Sequence, residues 1–141
     1  TTPLESFMKA LYMIFNGYYN LSTHGIRVLT PGLITDIENI QRLDIEKQNL
    51  TDVEAGAFQN LPNLKSLKIT LNKIPKIKTG IFNPLTNLTT VDLPSNDVYQ
   101  IDPNAFDNMT SLKHVILSFN RLTCVDPHWF LLTPSMEYID L

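Results

Sequence analysis

Apolar residues recur along this chain with a spacing of 24 positions: Leu64, Leu67 and Ile69, then Leu88, Val91 and Leu93, then Leu112, Val115 and Leu117. The last two of each trio flank one outward position, polar at Lys68 and Asp92 and apolar at Ile116, as a short half-buried strand requires, and identical strands one period apart can stack only as a parallel sheet. Segments 64–87, 88–111 and 112–135 superimpose without a gap; 40–63 fits the same frame, 16–39 fits it more weakly, and 136–141 starts another turn. The pattern predicts a solenoid over 16–141 in which every repeat buries its neighbour, with Leu43, Ile45, Ile139 and Leu141 continuing the inner aliphatic column.

The remainder of each repeat fits the same frame. Asn72, Asn96 and Asn120 follow the strand, where a side-chain amide that both donates and accepts suits a turn with buried backbone groups. They are read as a structural ladder and not as a site; Gln48 and His24 hold that slot in the earlier repeats. Ile34, Phe58, Phe82, Phe106 and Phe130 form a second column, expected to stack on the opposite side. Asp102-Pro103 and Asp126-Pro127 precede that column, as Thr30-Pro31 does, and a capping residue followed by proline suits a short helical turn. The back wall is therefore expected to be irregular, with single 3-10 or α turns. Charges repeat too: Asp44, Lys68 and Asp92 share one column, Asp52 and Lys76 a second, Glu54, Lys78 and Asp102 a third, and cross-strand pairing is expected in each.

Residues 1–15 differ. Thr2, Pro3 and Glu5 have the spacing of a capping box with proline at the first helical position, and Leu4, Phe7 or Met8, Leu11 and Ile14 or Phe15 share one helical face. The segment is read as a short N-terminal helix that either caps the first strand or closes a preceding repeat; a membrane-surface helix is disfavoured because Lys9 is its one cation.

These repeats read L-x-x-L-x-L-x-x-N-x-L, followed by an apolar position, a Phe and a Leu, and in that the chain resembles the leucine-rich repeat family. The 24-residue period with its Phe is similar to that of Toll-like receptor ectodomains and insect secreted immune repeat proteins. The resemblance implies an α/β leucine-rich repeat solenoid with a parallel sheet on its concave face and a mostly irregular convex face. It also implies an extracellular, non-catalytic protein-binding module of a receptor or secreted recognition protein, with an adhesion, receptor or innate-immune role. Extracellular members usually close their ends with cysteine-rich caps, whereas this chain has one cysteine and stops in mid-repeat at Leu141. With its start at Thr1, that reads as a piece of a longer solenoid. An adhesion protein that assembles through its solenoid ends or Cys124, and an intracellular scaffold, remain the other readings.

A formal net charge of −3 and a pI near 5.5 disfavour nucleic acid as a partner, and no run approaches the length of a membrane span. The expected partner is another protein, as a ligand, co-receptor or fellow subunit. His24, His114 and His128 fall in different repeats, and the chain has no G-x-S-x-G, no H-E-x-x-H and no glycine-rich phosphate loop, so no enzyme, metal or cofactor is expected. Candidate contact residues are the exposed strand positions Arg42, Asp44, Lys68, Asp92 and His114, together with an apolar patch of Ile116, Phe119 and Tyr138. Sequons at Asn20, Asn49, Asn87 and Asn108 are candidate glycosylation sites outside the apolar columns. Cys124, beside an expected buried Val125, is a candidate for an intermolecular disulfide.

Overall fold

The computed structural model describes residues 2–5, 17–20, 26–35 and 37–141, the side chains of residues 19 and 20 excepted. The alternating segments fold as β1 (Tyr18–Asn20), β3 (Arg42–Glu46), β5 (Ser66–Thr70), β7 (Thr90–Asp92), β9 (His114–Ile116) and β10 (Tyr138–Asp140). They form one parallel sheet in that order, and its register keeps the 24-residue period, as in Leu43↔Leu67, Leu67↔Val91 and Val91↔Val115. Two-residue strands on the flank, β2 (Val28–Leu29) with β4 (Asp52–Val53) and β6 (Lys76–Ile77) with β8 (Gln100–Ile101), repeat the parallel pairing.

Successive turns enclose a single continuous core. Leu43, Leu67, Val91 and Val115 have no exposed surface, and Phe58, Phe82 and Phe106 lie behind them, equally enclosed. Phe82 and Phe106 stack with centroids 5.7 Å apart and planes 9° from parallel; Phe106 and Phe130 follow at 5.4 Å and 20°. Trp129 is buried edge-on to Phe130, in a column that Ala57 and Ala105 fill elsewhere. Val125, expected inside, is 49% exposed, and Leu141 is 51% exposed although Ile45, Ile69, Leu93 and Leu117 of its column are covered. Val125 belongs to repeat 112–135 and Leu141 to the turn begun at 136, and among the described residues no further turn lies against either.

The asparagine ladder performs the hydrogen bonding its position demands. Asn72 Oδ1 accepts from the amides of Gln48 and Leu50 at 2.9 and 3.1 Å, while its Nδ2 donates to the carbonyls of Ile45 and Thr70. Asn120 treats the turn before it alike, accepting from Asn96 and Val98 and donating to Leu93 and Leu117. Asn96 does half of this: Nδ2 donates to Ile69 at 2.9 Å, but its buried Oδ1 has no partner. The neighbouring Pro94 has no amide to donate, and the paired register of β5 and β7 ends at Lys68↔Asp92. Immediately before each ladder slot, Lys47, Leu71, Ser95 and Phe119 have φ of 55 to 58°, the left-handed conformation that tips the chain off the sheet.

The back wall is built of turns, with one 3-10 helix among the described residues, Pro127–Phe130, capped as expected by the Asp126 carboxylate, which accepts from the His128 amide. Asp102 departs from the expected cap, since its carboxylate accepts from Thr79 in the preceding repeat. Long side chains also leave their columns: Lys78 reaches Asp52 at 2.7 Å, and Lys76 lies over the Tyr99 ring instead. At the N-terminus the capping box closes reciprocally, Thr2 amide to Glu5 carboxylate at 2.9 Å and Glu5 amide to Thr2 hydroxyl at 3.1 Å. The rest of the expected helix, from residue 6 onward, and His24 lie outside the described residues. Because Phe106 is stacked on both faces, Phe106→Ala is expected to cost about 3–5 kcal/mol through the cavity it leaves, measured by urea denaturation.

Candidate functional site

Strand pleat sends alternate side chains out of the six-stranded sheet, so its open face is tiled by two columns in register. One reads Tyr18, Arg42, Ser66, Thr90, His114 and Tyr138; the other, from β3 onward, reads Asp44, Lys68, Asp92, Ile116 and Asp140.

At the N-terminal side the polar groups satisfy one another. Arg42 forks onto Asp44 through Nε and Nη2, both at 3.1 Å, the Tyr18 hydroxyl donates to the same carboxylate at 3.1 Å, and the guanidinium lies 5.1 Å from the centre of the Tyr18 ring. The hydrogen bond and charge of Asp44 hold the guanidinium even more firmly in its charged form. Asp44, expected to be open to a partner, is instead 9% exposed: it orients Arg42, and Arg42 presents the surface. On the C-terminal side Glu137 lies 3.7 Å from Lys113 and 3.6 Å from His114, and the His114 ring meets Tyr138 edge-on.

Between these two clusters Lys68 and Asp92 sit side by side on β5 and β7 above the small residues Ser66 and Thr90. Although adjacent in register, they do not close an ion pair, and among the described residues neither side chain has a hydrogen-bond partner. Burial is the main influence on Asp92 and pushes its carboxyl above the usual range, with Lys68 opposing the shift and Asp44 adding to it. The centre of the sheet thus holds an anion and a cation that are partly desolvated and not neutralised by contact.

Of the three residues expected to form an apolar patch, Ile116 and Tyr138 stand on the sheet face. Phe119 lies past the end of β9, 83% exposed, at a cavity of 320 Å³ whose walls include Leu117, Leu122, Val125 and Leu141. Cys124 is exposed and lines that same cavity. Asn49, Asn87 and Asn108 are exposed; Asn87 Nδ2 already donates to the Pro62 carbonyl at 2.8 Å, and the side chain of Asn20 falls outside the described residues. Sequence columns did not reveal that Ser66 and Thr90 are the low floor between taller neighbours, although their size alone was a usable signal.

A family model described as leucine rich repeat matches residues 38–98 and 86–141. The chain belongs to the leucine-rich repeat family. Among solved structures, this leucine-rich repeat chain is similar to the leucine-rich repeat domain of APL1B, with a TM-score of 0.79 and 26% identity over 99% of its own length and 40% of that chain. It is also similar to TLR13, solved in complex with ssRNA13, with a TM-score of 0.76 and 25% identity over 86% of this chain and 17% of that one. The repeats described here therefore span well under half of either relative. No curated protein sequence matches the chain. No helix among the described residues is long and apolar enough to cross a membrane, and no group of three or more His, Cys, Asp or Glu residues among them could hold a metal ion.

The Asp92 shift gives a signed prediction. A carboxyl whose folded pKa is raised adds stability only while protonated, below its unfolded value, and that contribution is lost as pH rises through the folded pKa. Asp92→Asn is therefore expected to raise the melting temperature near about pH 7 and to make no difference near about pH 3, where the aspartate is already neutral. A variant less stable than wild type at neutral pH would mean that attraction to Lys68 outweighs burial.

Proposed function

We propose that this chain is a recognition module of an extracellular receptor or secreted immune protein, binding another protein across its open sheet face. The observation that carries this reading is the central pair Lys68 and Asp92, which lies between the self-satisfied Tyr18–Arg42–Asp44 cluster and the looser Lys113–His114–Glu137 group. A partner that sets an acid against Lys68 and a base against Asp92 recovers interactions the free protein lacks, which is where charged contacts contribute to specificity. Arg42, His114, Ile116 and Tyr138 then frame the contact, and Phe119 extends it past the end of β9. The likeness to APL1B and TLR13 supports the immune and extracellular part of the proposal. For TLR13 the partner in the complex is an RNA; here the face alternates acid and base instead of tracking phosphates with cations, which favours protein as the partner.

The sequons at Asn20, Asn49, Asn87 and Asn108 belong to the same proposal, as sites of glycan addition during secretion. A second reading, an adhesion protein that assembles through its solenoid ends or Cys124, has one observation in its favour: the Cys124 thiol is exposed beside the open Phe119 ring.

Two measurements test the proposal. Intact mass before and after glycosidase, without reductant, is expected to show glycan on the natively sourced protein; mass lost on reduction would instead point to assembly through Cys124, and a mass equal to that of the bare polypeptide would favour an intracellular scaffold. Selection of a displayed random peptide library on the wild-type chain is expected to enrich ligands that lose at least about tenfold in affinity on Lys68→Glu or Asp92→Lys, as truncating or reversing a close charge pair commonly does. Ligands indifferent to both changes would sink the proposed contact.

A further inference from the structure

The two positions after the buried column residue read Thr35 and Asp36, Gln59 and Asn60, Asn83 and Pro84, and Asp107 and Asn108 in four successive repeats. Gln59, Asn60, Asn83 and Asn108 are exposed there, and Pro84 and Asp107 are half-buried, although each has a repeat on either side. The position thus stays at least partly open to water even between two packed repeats. At these same positions the next repeat carries Leu131 and Leu132, which are 69% and 56% exposed. Nothing in the folding of the repeat calls for leucine where four predecessors are polar or proline, and two adjacent leucines in water forfeit the burial that such side chains gain elsewhere.

They do not stand alone. Leu131 and Leu132 line a groove of 370 Å³ on the turn side of the solenoid, together with Pro103, Asp107, Asp126 and His128. The groove has an apolar wall and two carboxylates, and no lysine or arginine lines it. Asp126 is fixed in place by the cap bond from the His128 amide at 2.9 Å and by the His128 ring nitrogen at 2.7 Å. The Asp107 carboxylate has no hydrogen-bond or ion-pair partner among the described residues.

We propose that this groove is a second docking site, separate from the sheet face, for a protein segment that presents an apolar side chain flanked by arginine or lysine. The leucines and Pro103 take the apolar side chain, and the flanking cations pair with Asp107 and Asp126, neither of which any basic residue of the groove neutralises except His128 when protonated. The site does not depend on what binds the sheet, because the groove lies on the opposite side of the core.

The test is an amide-resolved NMR titration of the full chain with a short blocked peptide carrying a leucine pair between arginines, and with the same peptide carrying glutamates instead. The expected result is saturable shifts confined to residues 103–107 and 126–132, with affinity at least about tenfold weaker for the glutamate peptide, as like-charge juxtaposition demands. Leu131→Gln with Leu132→Asn, the residues that repeat 40–63 carries at these positions, is expected to lose the response while keeping the melting temperature. Absence of localised shifts, equal response to the two peptides, or an undiminished response in the folded double variant would each overturn the proposal. So would a concentration-dependent dimer in sedimentation that the double variant abolishes, since the groove would then be filled by a second copy. Should the double variant not fold, the comparison of the two peptides on wild type decides alone.

Discussion

A parallel strand cannot reach its partner by a hairpin, so each turn of this chain has to travel away from the sheet, around the core and back, and it carries polar backbone groups through buried space on the way. The step that makes this possible is a left-handed residue followed by a buried amide side chain. Lys47, Leu71, Ser95 and Phe119 turn the chain off the sheet, and Asn72 and Asn120 then hold the backbone of the turn before them through both donor and acceptor. The aliphatic column, the Phe stack and the register of the open face all follow from this junction, because it fixes the rise and rotation from one turn to the next.

That dependence explains what could be read from sequence. The period places every residue in its column, so the sheet, its register and the Phe column were legible from Leu64, Leu67, Phe82 and their equivalents. What a column does not give is the direction taken by a long side chain. Lys78 crosses to Asp52 because its flexible stem reaches a diagonal neighbour, and Asp44 is enclosed because Tyr18 and Arg42 close over it. Nor does a column reveal which of its members are covered: Val125 sits in an apolar column yet is half exposed, because none of the described turns packs against it. Of the candidate contacts, membership of the sheet face was legible for Lys68, Asp92 and His114, but the contrast between satisfied and unsatisfied charge along that face was not. The leucine pair at 131 and 132 was visible in principle, as a break in a polar column, once one asks where the repeat differs from itself and not where it agrees.

The two surfaces discussed here illustrate how a repetitive scaffold acquires chemistry. The core columns are nearly uniform, so individuality is confined to positions that packing leaves free. On the sheet face it takes the form of charge placed between satisfied neighbours; on the turn side it takes the form of apolar surface beside carboxylates. Both are departures from the repeat, and both are carried by rigid elements whose backbone is set by turns on either side.

The half-made ladder at Asn96 adds a mechanical dimension. On the turn side, the junction between repeats 64–87 and 88–111 is clasped by the Phe82–Phe106 stack, by β6 with β8 and by Thr79 on Asp102. On the sheet side it lacks an acceptor bond at Asn96 Oδ1 and an amide at Pro94. The three paired positions of β5 and β7 still hold the sheet side, but past Asp92 this junction has fewer hydrogen bonds there than the junctions bridged by Asn72 and Asn120. Lys68 and Asp92 lie on opposite sides of that junction. A ligand that bridged them would therefore span two repeats and tie them together on the side where the ladder is incomplete; by linkage, whatever changed the spacing of those repeats would change its affinity.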